Sequence, residues 1–128
     1  MTCAEEQSLR EAKRMSDCIF CKIIAGEIPS ERVHEDEVVV AFRDINPQAP
    51  THIVIIPRKH VPSLGHLVAQ DDAIIGHLVR IAAQIARGEG IAEDGYRLVA
   101  NCGAAAGQSV DHVHFHLLGG RQMEWPPG

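Results

Sequence analysis

The chain has 128 residues, of which 45% are hydrophobic and 23% charged, and its formal net charge at pH 7 is −5. This length fits a single domain that buries its own core without disulfides. The acidic balance and the lack of a block rich in lysine or arginine argue against binding to nucleic acid. Because no apolar run is long enough for a membrane span and the charged start lacks the apolar core of a signal peptide, we expect a cytoplasmic protein.

The chain begins with a polar segment and a short apolar one. Residues 1–15 are charged and polar, and we expect a flexible arm there, ahead of one domain over residues 16–128. The stretch CIFCKIIAG then has apolar residues at helical spacing. It predicts a short helix with Ser16 or Asp17 as the N-cap and Gly26 at its end.

Strands follow this helix. Residues 31–34 and 38–43 flank a turn-like acidic segment, which predicts a β-hairpin. The proline-bounded loop INPQAP leads into a β-branched strand that starts at Thr51 and is closed by Pro57.

The second half contains one long helix and two more strands. Apolar residues recur at helical spacing over 64–87, where Asp71 or Asp72 can cap the main part. Residues 95–102 and 110–118 are predicted strands. Strands before and after one long helix indicate an α+β fold, a largely antiparallel sheet covered on one face.

Three histidines alternate with apolar residues in the last predicted strand, HVHFHLL. Because side chains alternate along a strand, His112, His114 and His116 share one face and the apolar residues share the other. A single histidine on a strand is usually solvated or hydrogen-bonded. A row of three indicates concerted use as metal ligands or as a phosphate or acid/base site.

The cysteines point to metal binding. Cys3, Cys18, Cys21 and Cys102 are too few and too unevenly spaced for a disulfide scaffold. The Cys18-x-x-Cys21 pair has the spacing of a redox motif, but such a motif follows a strand in a βαβ pattern that this sequence lacks. Zinc is the better interpretation.

The histidine row belongs to a longer set of motifs: AFRDINPQAPTHIVIIPRKH, DGYRLVAN, GQSV, and LGGRQ followed by WPPG. Together they resemble the histidine triad family, and within it the Hint branch, from about residue 17 to the end. The resemblance implies a five-stranded sheet with one long and one short helix, and a homodimer whose sheets join across the two-fold axis. It also implies a hydrolase that cleaves the P–N bond of purine nucleoside phosphoramidates through a nucleotidyl-histidine intermediate and releases AMP or GMP.

By the same resemblance, catalytic roles fall on five residues. His114 is the expected nucleophile, which suits a neutral imidazole attacking phosphorus. His116 and also His112 are expected to donate hydrogen bonds to phosphate oxygens. Ser109 contacts the phosphate and the leaving group if the chain bends just before it. His52 assists the nucleophile or the leaving group.

The resemblance also implies a nucleotide pocket. Asp44 is expected to bind both ribose hydroxyls, with Ile45 covering the base. The other expected contacts are Asn101, Gly107 and Gln108 near the phosphate, and Phe20, Ile23, Ile28 and Phe42 in an apolar slot for the purine. An ordinary turn is the competing interpretation for Asn101 and Gly107, and core packing is the competing interpretation for the slot.

For the metal, family members with this CxxC imply His60 and His112 as the remaining zinc ligands, in a structural site that catalysis does not require. Asp111 departs from the Hint pattern, so the identity of the preferred leaving group stays undetermined. The resemblance of the tail implies that Trp125 reaches the partner's site. Three other functions stay open: a dinucleoside polyphosphate hydrolase, a non-catalytic nucleotide- or partner-binding module, and a metal hydrolase that uses HxHxH as ligands.

Overall fold

The computed structural model describes residues 2, 3, 5, 6 and 17–128. Most of the expected arm, and the expected cap Ser16, lie outside the described residues. Within the part that is described, no helix combines the length and the apolar content needed to cross a bilayer.

From residue 17 onward, the described chain forms a five-stranded sheet with two α-helices. The strands are β1 (Arg32–Glu35), β2 (Val39–Arg43), β3 (Thr51–Pro57), β4 (Tyr96–Val99) and β5 (Phe115–Gly119), and the helices are α1 (Ile19–Ile24) and α2 (Asp72–Gly88). The strands lie in the order β1-β2-β3-β5-β4, and all neighbours are antiparallel. The predicted α+β class, the antiparallel sheet and the pair of one long and one short helix are confirmed.

Both faces of the sheet are covered, whereas the sequence predicted cover on one face. In the β3–β5 pair, Ile53 lies opposite Leu117, and both pack in the cluster beneath α2. The next pair places Val54 opposite His116, and Val54 packs with Phe20 of α1 on the other face. The physical reason is visible in β2 and β3, which are almost continuously buried, as strands covered on both faces are.

The helix starts differ from the prediction. The N-cap of α1 is Cys18, not Ser16 or Asp17, because its sulfur accepts the Cys21 N–H at 3.4 Å. Gly26 follows the helix with φ of +79°, as expected for a residue that ends it. The long helix begins at Asp72, and 3₁₀ turns over Leu64–His66 and Ala69–Asp71 replace its predicted first part.

The last two strands are shorter than predicted, at Tyr96–Val99 and Phe115–Gly119. Before β5 the chain bonds to a loop instead of a strand: the Val113 N–H donates to the Val61 carbonyl at 2.7 Å, and the His112 N–H donates to Val110 at 2.9 Å. His112 and His114 therefore lie ahead of the strand, and only His116 lies within it.

A polar cluster ties the β1–β2 turn to α2. One carboxylate oxygen of Asp36 accepts from Nε2 of His34 at 2.7 Å and from Nε2 of His77 at 2.8 Å. The other oxygen accepts the backbone N–H groups of Val38 and Val39. Burial alone would raise the pKa of Asp36, but these four hydrogen bonds hold it well below its ordinary value.

Candidate active site and metal centre

The three histidines of the row share one face, as predicted. The Phe20 ring of α1 meets the rings of His112 and His114 edge-on, with centroids 6.0 Å and 5.0 Å away. The rings of His114 and His116 are 5.1 Å apart. His112 and His114 are buried and His116 is half-buried, so the period-2 alternation continues through the segment that precedes β5.

A main-chain carbonyl fixes the tautomer of His114. Its Nδ1 lies 2.7 Å from the carbonyl oxygen of His112. A carbonyl can only accept, so Nδ1 carries the proton, and Nε2 of the neutral ring carries the lone pair. The ring is therefore prepared to act as a nucleophile through Nε2.

A chain of three groups sets the opposite tautomer in His116. The Gln48 backbone N–H donates to Nδ1 of His52 at 3.0 Å, so the proton of neutral His52 is on Nε2. That Nε2–H points at Nδ1 of His116, 2.9 Å away, and leaves the His116 proton on Nε2. Burial lowers the pKa of His52, and burial together with the neighbouring His114 and His52 lowers that of His116, so both rings are neutral near pH 7.

Asp44 and Ile45 border this chain. The Asp44 carboxylate lies 3.4 Å from Nε2 of His52 through one oxygen and accepts the Asn46 N–H at 2.8 Å through the other. The Ile45 side chain is fully exposed, at 101% of its reference area. An acceptor and an uncovered apolar side chain thus lie together at the edge of the histidine cluster.

The side chain of Gln108 closes the loop that precedes Ser109. Gln108 accepts the Gly103 N–H at 2.8 Å through Oε1 and donates through Nε2 to the Pro62 carbonyl at 2.7 Å. Gly107 has φ of +84°, and its N–H donates to Ala104. The predicted bend is present, and the polar groups of Gln108 and the Gly107 amide hold the turn together.

Ser109 and Asn101 lie on either side of this loop. Ser109 is exposed, and it lies further from β5 than the predicted strand over 110–118 implied. The reason is that the chain enters β5 only at Phe115. Asn101 is half-buried and follows β4.

The predicted purine slot is largely core. Phe20, Ile23 and Phe42 are each 9% exposed or less and pack in one cluster between the sheet and α1. Ile28 is half-buried at the edge of that cluster. Core packing alone accounts for Phe20, Ile23 and Phe42, whereas Ile28 keeps exposed surface that a ligand can contact.

A separate cluster of two cysteines and two histidines lies beside the histidine row. Its ligand atoms, in Cys18, Cys21, His60 and His112, all lie within 4.8 Å of one another. The sulfur of Cys18 is 3.4 Å from Nδ1 of His112, the sulfur of Cys21 is 3.3 Å from Nδ1 of His60, and the two Nδ1 atoms are 3.2 Å apart. Zinc bond lengths and tetrahedral angles imply ligand separations of about 3.3 to 3.8 Å, so the set fits that ion.

The protonation of this cluster agrees with a cation site. Nε2 of His112 donates to the Pro57 carbonyl at 2.8 Å, which leaves the Nδ1 lone pair directed at the sulfurs. Burial, with smaller contributions from His60 and His114, lowers the pKa of His112 to about 4, so the ring is a neutral ligand. Burial and the neighbouring Cys18 raise the pKa of Cys21 to about 12, so its thiol gives up its proton only to a bound cation.

Asp44, His52 and His116 also bring their ligand atoms within 4.8 Å. Here the tautomers oppose a metal. The Gln48 N–H occupies Nδ1 of His52, so Nε2 must keep its proton and has no lone pair for an ion. We therefore interpret this second group as a hydrogen-bonded chain, which weighs against a metal hydrolase built on the HxHxH row.

Three main-chain groups that sequence reasoning missed control the site: the Gln48 amide and the carbonyls of Pro57 and His112. Each fixes a histidine tautomer. A sequence motif cannot indicate that a main-chain group fixes a histidine tautomer, because nearly every residue has the same main-chain amide and carbonyl. The proline-bounded INPQAP loop is the one sequence signal near Gln48.

Comparison with known proteins gives consistent results. A family model described as the HIT domain matches residues 25–123. The chain is 53% identical over 130 residues to a 14 kDa zinc-binding protein of Zea mays, and the match covers 100% of each chain. It is 52% identical over 107 residues to the purine nucleoside phosphoramidase of Escherichia coli K12, covering 84% of this chain and 90% of the relative.

The fold has close matches among solved structures. A HIT family hydrolase from Legionella pneumophila Philadelphia 1 superimposes with a TM-score of 0.86 at 51% sequence identity, covering 88% of this chain and 100% of that one.

Proposed function

Because this chain belongs to the HIT domain family, we propose that it is a hydrolase that cleaves the P–N bond of purine nucleoside phosphoramidates and releases AMP or GMP. The observation that carries the proposal is the pair of fixed tautomers in neighbouring rings. His114 presents a lone pair at Nε2, and His116 presents a proton at Nε2. Transfer of a nucleotidyl group needs this combination of nucleophile and phosphate donor.

The proposed reaction has two steps. Nε2 of His114 attacks the α-phosphorus, the P–N bond breaks, and the amine departs with the electron pair and takes up a proton from solvent. His116 donates to a non-bridging oxygen, and Ser109 contacts the leaving group. Water then attacks the nucleotidyl-histidine, the bond from phosphorus to His114 breaks, and the nucleoside monophosphate is released.

The nucleotide is held at the edge of the histidine cluster. We propose that the Asp44 carboxylate accepts both ribose hydroxyls, since it is half-buried and already oriented by the Asn46 amide. We propose that the purine lies against the exposed Ile45, which follows Asp44 in the chain, and against Ile28, which is half-buried at the edge of the cluster that contains Phe42. Asn101 contacts the phosphate or ribose, while Gly107 and Gln108 shape the loop that presents Ser109.

We also infer that Cys18, Cys21, His60 and His112 hold zinc. The support is the fit of their separations to tetrahedral zinc and the similarity to a relative named as a zinc-binding protein. Zinc would supply a cross-link between α1, the end of β3 and the histidine row, with no redox chemistry. None of the proposed steps at phosphorus uses it.

We further propose a cytoplasmic homodimer joined along β4. This strand is at one end of the sheet, so one of its edges is not paired within the described chain. Tyr96 on β4 is 39% exposed, and Trp125 in the tail is 83% exposed. Aromatic side chains gain most from burial at an interface, and Trp125 is proposed to reach the partner's leaving-group region.

The His114→Ala variant tests the proposed function. We expect release of AMP from adenosine 5′-phosphoramidate to fall by at least about a thousandfold, as for other nucleophile deletions. AMP affinity, measured by calorimetry, should stay within a few-fold, because Asp44 and the apolar contacts remain. The matched control is His66→Ala, an exposed histidine outside the row.

A rapid acid-free quench of wild-type protein during turnover should show the nucleotidyl group on the peptide that contains His114. Normal turnover by the variant would contradict the covalent mechanism. Faster hydrolysis of diadenosine polyphosphate than of the phosphoramidate would favour the dinucleoside hydrolase. Tight AMP binding without turnover of either compound would favour a binding module.

A further inference from the structure

One residue belongs to both the metal cluster and the nucleophile. The Nδ1 of His112 lies 3.4 Å from the Cys18 sulfur and 3.6 Å from that of Cys21. The main-chain carbonyl of His112 lies 2.7 Å from Nδ1 of His114 and fixes the tautomer of the His114 ring. The same residue therefore offers its side chain to a metal and its backbone to the nucleophile.

A second connection runs through α1. This helix has six residues, far fewer than an isolated helix needs for stability in water, so its position depends on what it is tied to. Cys18 caps it and Cys21 lies one turn further on, so two of the four metal ligands are at its N-terminal end. The sheet side supplies the other two ligands, His60 and His112.

Between the two cysteines, Phe20 points at the active site. Its ring contacts the rings of His112, His114 and Phe42, with centroids 6.0, 5.0 and 5.7 Å away. Any shift of the N-terminal turn of α1 would move this ring against the nucleophile. The same shift would move Ile28, which packs against this cluster and is proposed to contact the purine.

From this geometry we infer that metal occupancy of the four-residue cluster and nucleotide occupancy of the active site are thermodynamically coupled. Zinc holds the first turn of α1 to His112, and this fixes both the Phe20 ring and the carbonyl that orients His114. Cys18, Cys21 and His60 are thus positioning residues for the nucleotide site. Because coupling of binding is reciprocal, bound nucleotide must raise the affinity for zinc by the same factor by which zinc raises the affinity for nucleotide. The inference rests on the proposed function for the identity of the ligand.

The test compares zinc-loaded protein with protein stripped by a chelator and checked for a native circular dichroism spectrum. AMP should bind about 5- to 50-fold more weakly to the stripped form by calorimetry, within the usual range of coupling between sites. In the loaded protein, which needs no refolding, saturating AMP should raise the affinity for Zn²⁺, measured at equilibrium against a chromogenic chelator, by the same factor. Cys21→Ser should reproduce the loss of AMP affinity, and Cys102→Ser, which removes an exposed thiol outside the cluster, should not.

Hydrogen exchange separates failure of this inference from failure of the proposed function. Without nucleotide, zinc should slow exchange of the α1 amides and shift the ¹⁵N signals of the His114 ring. Equal AMP affinity in both forms, or a zinc affinity that AMP leaves unchanged, would overturn the coupling. If AMP binds to neither form, the proposed function fails, and unchanged α1 exchange and His114 signals would then overturn the inference independently.

Discussion

Replacement of His52 tests whether His116 depends on the hydrogen-bond chain from the Gln48 amide. His52→Ala removes the donor 2.9 Å from Nδ1 of His116 and leaves that acceptor buried beside a cavity. Loss of a buried hydrogen-bond partner costs about 1 to 3 kcal/mol. If the whole cost falls on the transition state, kcat decreases by about 5- to 150-fold, since each 1.4 kcal/mol is a factor of ten. KM should change little, because His52 is a positioning residue.

The conservative variant is His52→Gln, whose terminal amide can place a donor where Nε2 stood. It should recover most of the lost kcat, whereas His52→Ala should not. Single-turnover hydrolysis of adenosine 5′-phosphoramidate gives the rates, and His66→Ala is the control. A ¹⁵N titration gives a second readout: burial and the neighbouring His114 and His52 hold the pKa of His116 below its ordinary value, so His52→Ala should raise it. Equal kcat in wild type and both variants, with an unchanged His116 titration, would refute the role assigned to this chain.

Three further predictions concern metal, stability and assembly. Protein purified without added metal should contain about one zinc per chain by mass spectrometry. The double variant Cys18→Ser with Cys21→Ser should have a lower melting temperature. A metal-free protein whose melting temperature is the same with and without these substitutions would contradict the zinc site. Asp36→Asn should lower the free energy of unfolding in urea by about 2 to 3 kcal/mol relative to the exposed control Glu37→Gln, since two donors lose their acceptor. The pKa of Asp36 is depressed in the folded state, so the difference in unfolding free energy between Asp36→Asn and the wild type should have its full value above about pH 5 and decrease as the pH falls below about 4. A difference that does not change with pH would contradict the assigned contacts. Light scattering should show a dimer that survives deletion of residues 124–128, while the deletion changes leaving-group preference more than AMP affinity, and a monomer or an unchanged substrate profile would count against the proposed interface.

Patterns of side-chain type predicted much of the fold. Period-2 alternation placed the three histidines on one face, and the family resemblance from these motifs is confirmed by the match over residues 25–123. Helical spacing located α1 and the main part of α2. The cluster of Cys18, Cys21, His60 and His112, implied by the resemblance, does come together. These features depend on side-chain type and spacing, which a sequence displays directly.

Tertiary contacts explain the errors. The Cys18 sulfur caps α1 and also lies 3.4 Å from Nδ1 of His112, a partner 94 residues away that local sequence does not indicate. The final strand starts late because the Val113 N–H bonds to the Val61 carbonyl in the loop after β3, and nothing in the sequence of either segment indicates this pairing. Hydrogen bonds between main-chain groups distant in sequence leave no periodic pattern, so strand ends are poorly determined by local sequence.

The HxHxH pattern fits a metal site and a nucleotidyl-transfer site equally well, and main-chain partners distinguish the two. Pro57 accepts from Nε2 of His112, so that ring turns a lone pair at Nδ1 toward the cysteines. Two residues on, the carbonyl of His112 accepts from Nδ1 of His114 and leaves the lone pair at Nε2. Successive histidines on one face are thus given opposite reactive nitrogens by the carbonyls they meet. The same row can therefore serve a metal at one end and phosphorus at the other, and the division of roles follows from tautomers set by the backbone.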